Sequence, residues 1–334
     1  MASRRDPVEE ASDGSHDLYD IVTWEERSSL DGLSVAVHWL VVRSAKAAVV
    51  LVALLILLTI VGQIGLGIFV TPAVGVLTLL SVIPALGLAT YVWYADVTER
   101  EPLTLLVATF LLAVLTAGFA AVINSSARPL FVSLGPLGVV LFYFVIVAPV
   151  EESVKLLAVR LYAYNDTRFD AVINGAVYGA VAGLGFATIE NSLYIIDNVD
   201  AAELGVGVGL VGAGDGIAAL RALAGPGHVI YSAFAGYYLG LAKFNPSNRG
   251  PIVVKGLVIA GLLHATYNST VSIGSGLIAG LTGLPPNVAF VVYITLFVGV
   301  TGGILFAKIR RYREAYLEVT TEPGTDPPTP PKPR

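Results

Sequence analysis

The chain contains no cysteine, which removes disulfides, thiolate metal sites and thiol nucleophiles, so any metal must rest on His, Asp or Glu. Charge is scarce too. Charged residues make up 13% of the 334 and hydrophobic ones 55%, too little charge to cover the surface of a soluble domain. Only four histidines occur, His16, His38, His228 and His264, and there is no H-E-x-x-H zinc motif. That absence excludes nothing, because ligands carried on separate helices need no local signature. A basic surplus is missing as well. The net charge is −5, and Glu9, Glu10, Asp13, Asp17, Asp20, Glu25 and Glu26 crowd the first segment, which argues against nucleic acid as a partner.

What the sequence has instead is apolar runs, near 47–70, 74–94, 103–123, 137–161, 171–196, 204–220, 227–242, 253–278 and 288–307. A bilayer core of ~30 Å needs about 20 apolar residues per helix, whereas a membrane barrel would show alternating segments of about 10. The sequence therefore predicts an all-α fold, a polytopic transmembrane helix bundle in the cell membrane with the lipid bilayer as its surroundings. Short cytoplasmic loops collect Lys and Arg. Arg100, Arg160 with Arg168, Arg249, and Lys308 to Arg313 mark that side, while 71–73, 197–203 and 279–287 lack both residues and the 124–136 loop holds only Arg128. These assignments alternate only if the Gly-rich run 204–220 does not cross by itself, which gives eight spans with both termini cytoplasmic, nine being the alternative. Run 204–220 is then a re-entrant or interfacial piece. The expected division is an acidic cytoplasmic segment 1–45 without the features of a signal peptide, a transmembrane domain 46–307, and a tail 308–334, basic and then Pro-rich and disordered.

An ionisable side chain inside a span costs roughly 2.5–3.5 kcal/mol on insertion scales, so each one is a functional candidate unless paired or terminal. Glu151, Glu152 and Lys155 lie in APVEESVKLL, Glu190 in FATIEN and His264 in LLHATYN, and His228 opens the run beginning GHVIYS. Residues three and four apart share a helix face. Lys155 can thus neutralise one of the two adjacent glutamates and leave the other as a proton acceptor. His228 with Ser232, and His264 with Asn268, repeat the four-residue step. Each feature also has a plainer explanation: an ion pair joining helices, a headgroup-facing histidine, or Asn191, Asn268 and Ser232 as interhelical hydrogen-bonding groups worth about 0.6 kcal/mol each. Their coincidence in neighbouring runs is what points to a site.

EESVK at 151–155, FATIE at 186–190, HVIYS at 228–232 and the last intramembrane histidine, His264, follow one another in an order that resembles PrsW-type proteases. DVTEREPL at 96–103 also looks like a loop of that family, and the likeness covers roughly 75–305. More distantly the chain is similar to the CAAX-processing and bacteriocin-immunity proteases, although Lys155 and Glu190 stand where an arginine one place later and a histidine are expected in those. The resemblance implies an intramembrane endopeptidase, usually a metalloprotease, acting on membrane-anchored protein substrates such as anti-sigma factors. It implies Glu151 and Glu152 as general base, with Glu190, His228 and His264 as metal or transition-state contacts. In a zinc version those three hold the ion and Glu152 or Glu151 activates water. A metal-free version keeps the glutamate base and takes oxyanion donors from His264 and Asn268. Two other classes compete. Gly212 to Asp215 spell the GxGD of aspartyl proteases but lack a second intramembrane aspartate, and a transporter would usually show duplicated halves, which are not found.

Overall fold

The computed structural model describes residues 11, 13, 17–20, 23–98, 101–200 and 208–321. His16, Arg100, residues 204–207 and the Pro-rich end of the tail lie outside the described residues. Within them there are nine α-helices and no strand: α1 (Ser29–Val70), α2 (Pro72–Tyr94), α3 (Leu103–Val132), α4 (Gly135–Phe142), α5 (Ala148–Leu161), α6 (Val172–Asn198), α7 (Val208–Lys243), α8 (Arg249–Thr282) and α9 (Pro286–Thr321). The chain divides into two units, Met1–Leu55 and Ile56–Arg334. In the first, a reciprocal cap starts α1: Ser28 N donates to Asp31 Oδ2 at 2.6 Å and Asp31 N donates to Ser28 Oγ at 3.1 Å.

Seven helical segments are long and apolar enough to cross a membrane, namely Val50–Val70, Pro72–Tyr94, Leu103–Val132, Gly135–Asn165, Val172–Asn198, Pro246–Thr282 and Pro286–Val319. The chain is a multi-pass membrane protein. Helix α7 is the eighth long element, and it runs antiparallel to α6, since Gly175 lies against Gly236, Gly179 against Ser232 and Gly183 against His228. At these places a Cβ on the glycine would come within 2.2–2.3 Å of a backbone oxygen of α7. Small residues spaced by four let the two backbones touch, which is how membrane helices gain packing without a hydrophobic drive between them. Helix α6 is correspondingly the buried centre, with 89% of its apolar window inside the bundle against 28% for α9. The outward residues of the other helices are apolar, Leu79, Leu111, Val258 and Leu296 among them, as a lipid-facing surface requires.

Two boundaries differ from the sequence reading. Residues 208–220 and 227–242 form one helix, α7, with Pro226 inside it, rather than a separate re-entrant piece and a span. Pro226 leaves Ala222 O without its intrahelical donor, and beside it Asn191 Nδ2 donates to Arg221 O at 3.4 Å. Likewise 124–132 is not loop, since α3 continues through Asn124, Arg128 and Pro129 to Val132. A third irregularity bears on the site. Between α4 and α5 the helix widens into a π turn, Tyr143–Val147, just before Pro149 and the EESVK segment. Extra residues of this kind absorb the missing proline N–H and re-aim the side chains that follow.

Candidate active site

Four helices bring the intramembrane ionisable groups together. Glu151, Glu152 and Lys155 come from α5, Glu190 from α6, His228 from α7 and His264 from α8, and all but Glu190 are buried. Lys155 Nζ donates to Glu152 Oε1 at 2.7 Å and to His228 Nδ1 at 2.9 Å, and lies 3.8 Å from Glu151 Oε2. Its charge also sits 4.3 Å from the centre of the Phe186 ring. An ammonium has no lone pair, so His228 Nδ1 accepts from it, and the Nε2 proton then points to Glu190 Oε2 at 2.9 Å; to hold a metal through Nε2, His228 would have to release that proton to Glu190. Glu152 is completely buried and fully engaged: besides Lys155 it receives His264 Nδ1 at 2.9 Å and Ser232 Oγ at 3.2 Å. With Nδ1 so held, His264 presents Nε2 as its lone pair, 3.7 Å from Glu151 Oε2.

The two histidines are therefore held differently: Glu152 lies behind His264 at Nδ1, whereas Lys155 lies behind His228 at Nδ1 and Glu190 faces its Nε2. Glu190 is in turn fixed by the Arg221 guanidinium, whose Nε donates to Asn191 Oδ1 at 2.9 Å and whose plane lies 4.3 Å from the Tyr194 ring centre. Glu151 is held on one side only, Asn124 Nδ2 donating to its Oε1 at 3.0 Å. Its Oε2 is buried without a hydrogen-bond partner. Glu151, Glu190, Arg221, His228, His264 and Asn268 line a cavity of about 630 Å³ that also reaches Arg128 and Ser272.

One carboxylate oxygen and two imidazole nitrogens, from Glu151, His228 and His264, lie within 4.8 Å of one another. A carboxylate with two histidines is a donor set that zinc accepts, and a buried oxygen without a hydrogen-bond donor, 3.7 Å from an imidazole lone pair, is what such an ion would satisfy. Glu190 stands beside this group rather than within it. Three further residues of the site were not singled out from the sequence. Asn124 lay in a stretch read as loop, Arg221 fell between two apolar runs, and Tyr231 sat unremarked inside HVIYS. Arg221 and His228 are seven apart, two turns of one face, a spacing visible only once α7 is continuous.

A helical membrane bundle that converges carboxylates, imidazoles and a guanidinium on an internal cavity has the groups that hydrolysis within a membrane, or proton and ion transport, requires. Comparison with known proteins says which kind. Residues 101–300 match the family described as PrsW family intramembrane metalloprotease, and the chain belongs to that family. It is 29% identical over 198 residues to Protease PrsW of Geobacillus kaustophilus, covering 56% of this chain and 76% of that protein. It is 30% identical over 194 residues to Protease PrsW of Bacillus subtilis (55% and 78%), and 29% identical over 195 to that of Clostridioides difficile (58% and 77%). No solved structure matches. The protein is an intramembrane protease, and the transporter reading is not favoured.

Proposed function

We propose that the protein cleaves membrane-anchored protein substrates with a zinc ion held by Glu151, His228 and His264 and with Glu190 as general base. Glu151 Oε2 carries this reading: it is buried without a hydrogen-bond partner, it lies 3.7 Å from His264 Nε2, and its residue lines the cavity. When bound, the ion would polarise the scissile carbonyl and acidify water. Glu190, a quarter exposed and lining the same cavity, would accept a water proton and pass it to the leaving nitrogen, so that the C–O bond forms and the C–N bond breaks without net change in the side chain. Glu152 and Lys155 keep the imidazoles oriented and the cluster near neutrality. Asn268, one turn beyond His264, faces the cavity as a donor for the substrate backbone. A second assignment exchanges the two glutamates, with Glu190 as ligand and Glu151 as base. It is supported by the 2.9 Å separation of Glu190 Oε2 and His228 Nε2, a distance between neighbouring ligand atoms.

The substrate class follows from access. A cavity walled by membrane helices admits a segment that is already in the bilayer, such as the anchor of a single-span regulatory protein. The test is cleavage of tagged single-span proteins by purified protein in detergent, with and without a chelator. Cleavage that is chelator-sensitive and lost in Glu151→Gln and His264→Ala supports the reading. Cleavage that persists in both variants sinks the site assignment.

A further inference from the structure

Tyr231 lies on α7 three residues after His228 and is only 2% exposed. Its ring stacks on the His264 imidazole, with centroids 5.4 Å apart and planes inclined by 23°, and it lines the cavity shared by Glu151 and Glu190. The hydroxyl has no hydrogen-bond partner among the described residues. A buried phenol ordinarily finds one, because leaving a donor unpaired away from water is costly. The backbone makes room for it nevertheless. At Gly227, one turn earlier on the same face, a Cβ would come within 2.9 Å of Tyr231 Oη, so the hydroxyl occupies space that any other residue at 227 would fill. A rigid donor is thus clamped against a site histidine, aimed along a bare stretch of helix, with its proton uncommitted.

We propose that Tyr231 is a catalytic residue whose hydroxyl donates a hydrogen bond to the carbonyl oxygen of the scissile peptide as that oxygen takes up negative charge. The proposal rests on the protease reading of the cavity. The oxygen of water adds to the carbonyl carbon, the carbonyl π pair moves onto its oxygen, and the water proton passes to the base. As the pair returns, the C–N bond breaks and the proton goes to the departing amine. Tyr231 keeps its own proton throughout and is strongest as a donor at the charged intermediate, which is where a fixed donor accelerates the reaction.

The test uses the full-length protein in detergent with a cleavable single-span substrate, and compares Tyr231→Phe, Gly227→Ala and the double variant. Tyr231→Phe keeps the ring on His264 and removes only the hydroxyl. The expected loss is about 10²–10³-fold in kcat, with KM within about threefold and zinc content unchanged. Gly227→Ala displaces the hydroxyl and lowers kcat as well. The double variant is then no slower than Tyr231→Phe, because the clashing group has gone. A tyrosine that merely packs gives the opposite pattern. Tyr231→Phe would then keep kcat within about twofold and unfold no more easily, and this result overturns the proposal. A kcat loss that only tracks lost zinc or lost folded protein overturns it too. Failure of the underlying reading is separable, since in that case Glu151→Gln and His264→Ala would still cleave.

Discussion

Two buried polar clusters occupy opposite ends of α6, about 24 Å apart at ~1.5 Å per residue from Asn174 to Glu190. One joins the loop before α3 to the start of α6. Asn174 Nδ2 donates to Asp96 Oδ2 at 3.1 Å and to Thr98 Oγ1 at 3.3 Å, its Oδ1 receives Ala171 N at 2.5 Å, and Tyr178 donates its hydroxyl to Glu101. Apart from Glu101 Oε1, which is buried without a hydrogen-bond partner, the side-chain atoms named there are taken up within the same cluster. The second cluster, around Glu151 and His264, is equally buried but keeps several atoms in reserve in residues that line a cavity: Glu151 Oε2, the Nε2 lone pair of His264 and the Tyr231 hydroxyl. Burial of polar groups therefore does not mark an active site by itself. Unused bonding capacity in residues that line a cavity is what supports the second cluster as the proposed site.

The contrast can be strained most at the reserve atoms. His264→Ala is expected to lower cleavage by 10³-fold or more while leaving the fold intact, measured by turnover of a single-span substrate beside a thermal melt. Next comes the contact that sets the spacing of Glu190 and His228. A Cβ at Gly183 would lie 2.3 Å from His228 O, whereas at Gly261 nothing is within 4 Å. Gly183→Val should therefore yield little folded protein and no activity, with Gly261→Ala close to wild type in both, read by size-exclusion profile and cleavage rate. Arg221→Lys is a smaller change, about 10- to 100-fold in kcat, because a lysine cannot hold Glu190 and Asn191 together as the guanidinium fork does. A pH–rate profile shifted relative to wild type would show that the effect passes through Glu190.

The smallest effect belongs to the closed cluster. Glu101 lies in the loop before α3, where burial pushes its carboxyl up to about 7. A carboxyl with a raised folded value favours the folded state most below its unfolded value of about 4.5, and that contribution is lost as pH rises through about 7. Thermal stability should accordingly fall between these limits, and Glu101→Gln, which cannot ionise, should flatten that fall and raise the melting midpoint at pH 8 by roughly 2 °C. Cleavage at fixed pH should hardly change. A large loss of turnover in Glu101→Gln would erase the distinction between the two clusters.

Much of this arrangement is legible in the sequence because lipid makes ionisable residues conspicuous. Glu151, Glu152, Lys155, Glu190, His228 and His264 stand out against apolar runs, and the structure brings all six together. Their division of labour is not legible. Glu151 and Glu152 are adjacent and chemically identical, yet a 100° step around α5 turns one towards the cavity and buries the other behind His264. Arg221 and Asn124 escaped for a different reason. Helix boundaries were drawn from apolarity, and α7 and α3 continue through polar and Pro-containing stretches that neighbouring helices shelter. Tyr231 carries no charge and gives no signal until its hydroxyl is seen to lack a partner.

In the proposed mechanism Glu151 serves the ion and Glu190 the proton. This division is tested most directly by measuring zinc content and cleavage together in Glu151→Gln and Glu190→Gln. Glu151→Gln is expected to lose both zinc and activity, and Glu190→Gln to keep its zinc and lose activity. Zinc retained by Glu151→Gln and lost by Glu190→Gln would exchange the two roles, and undiminished cleavage by Glu151→Gln would contradict the account outright.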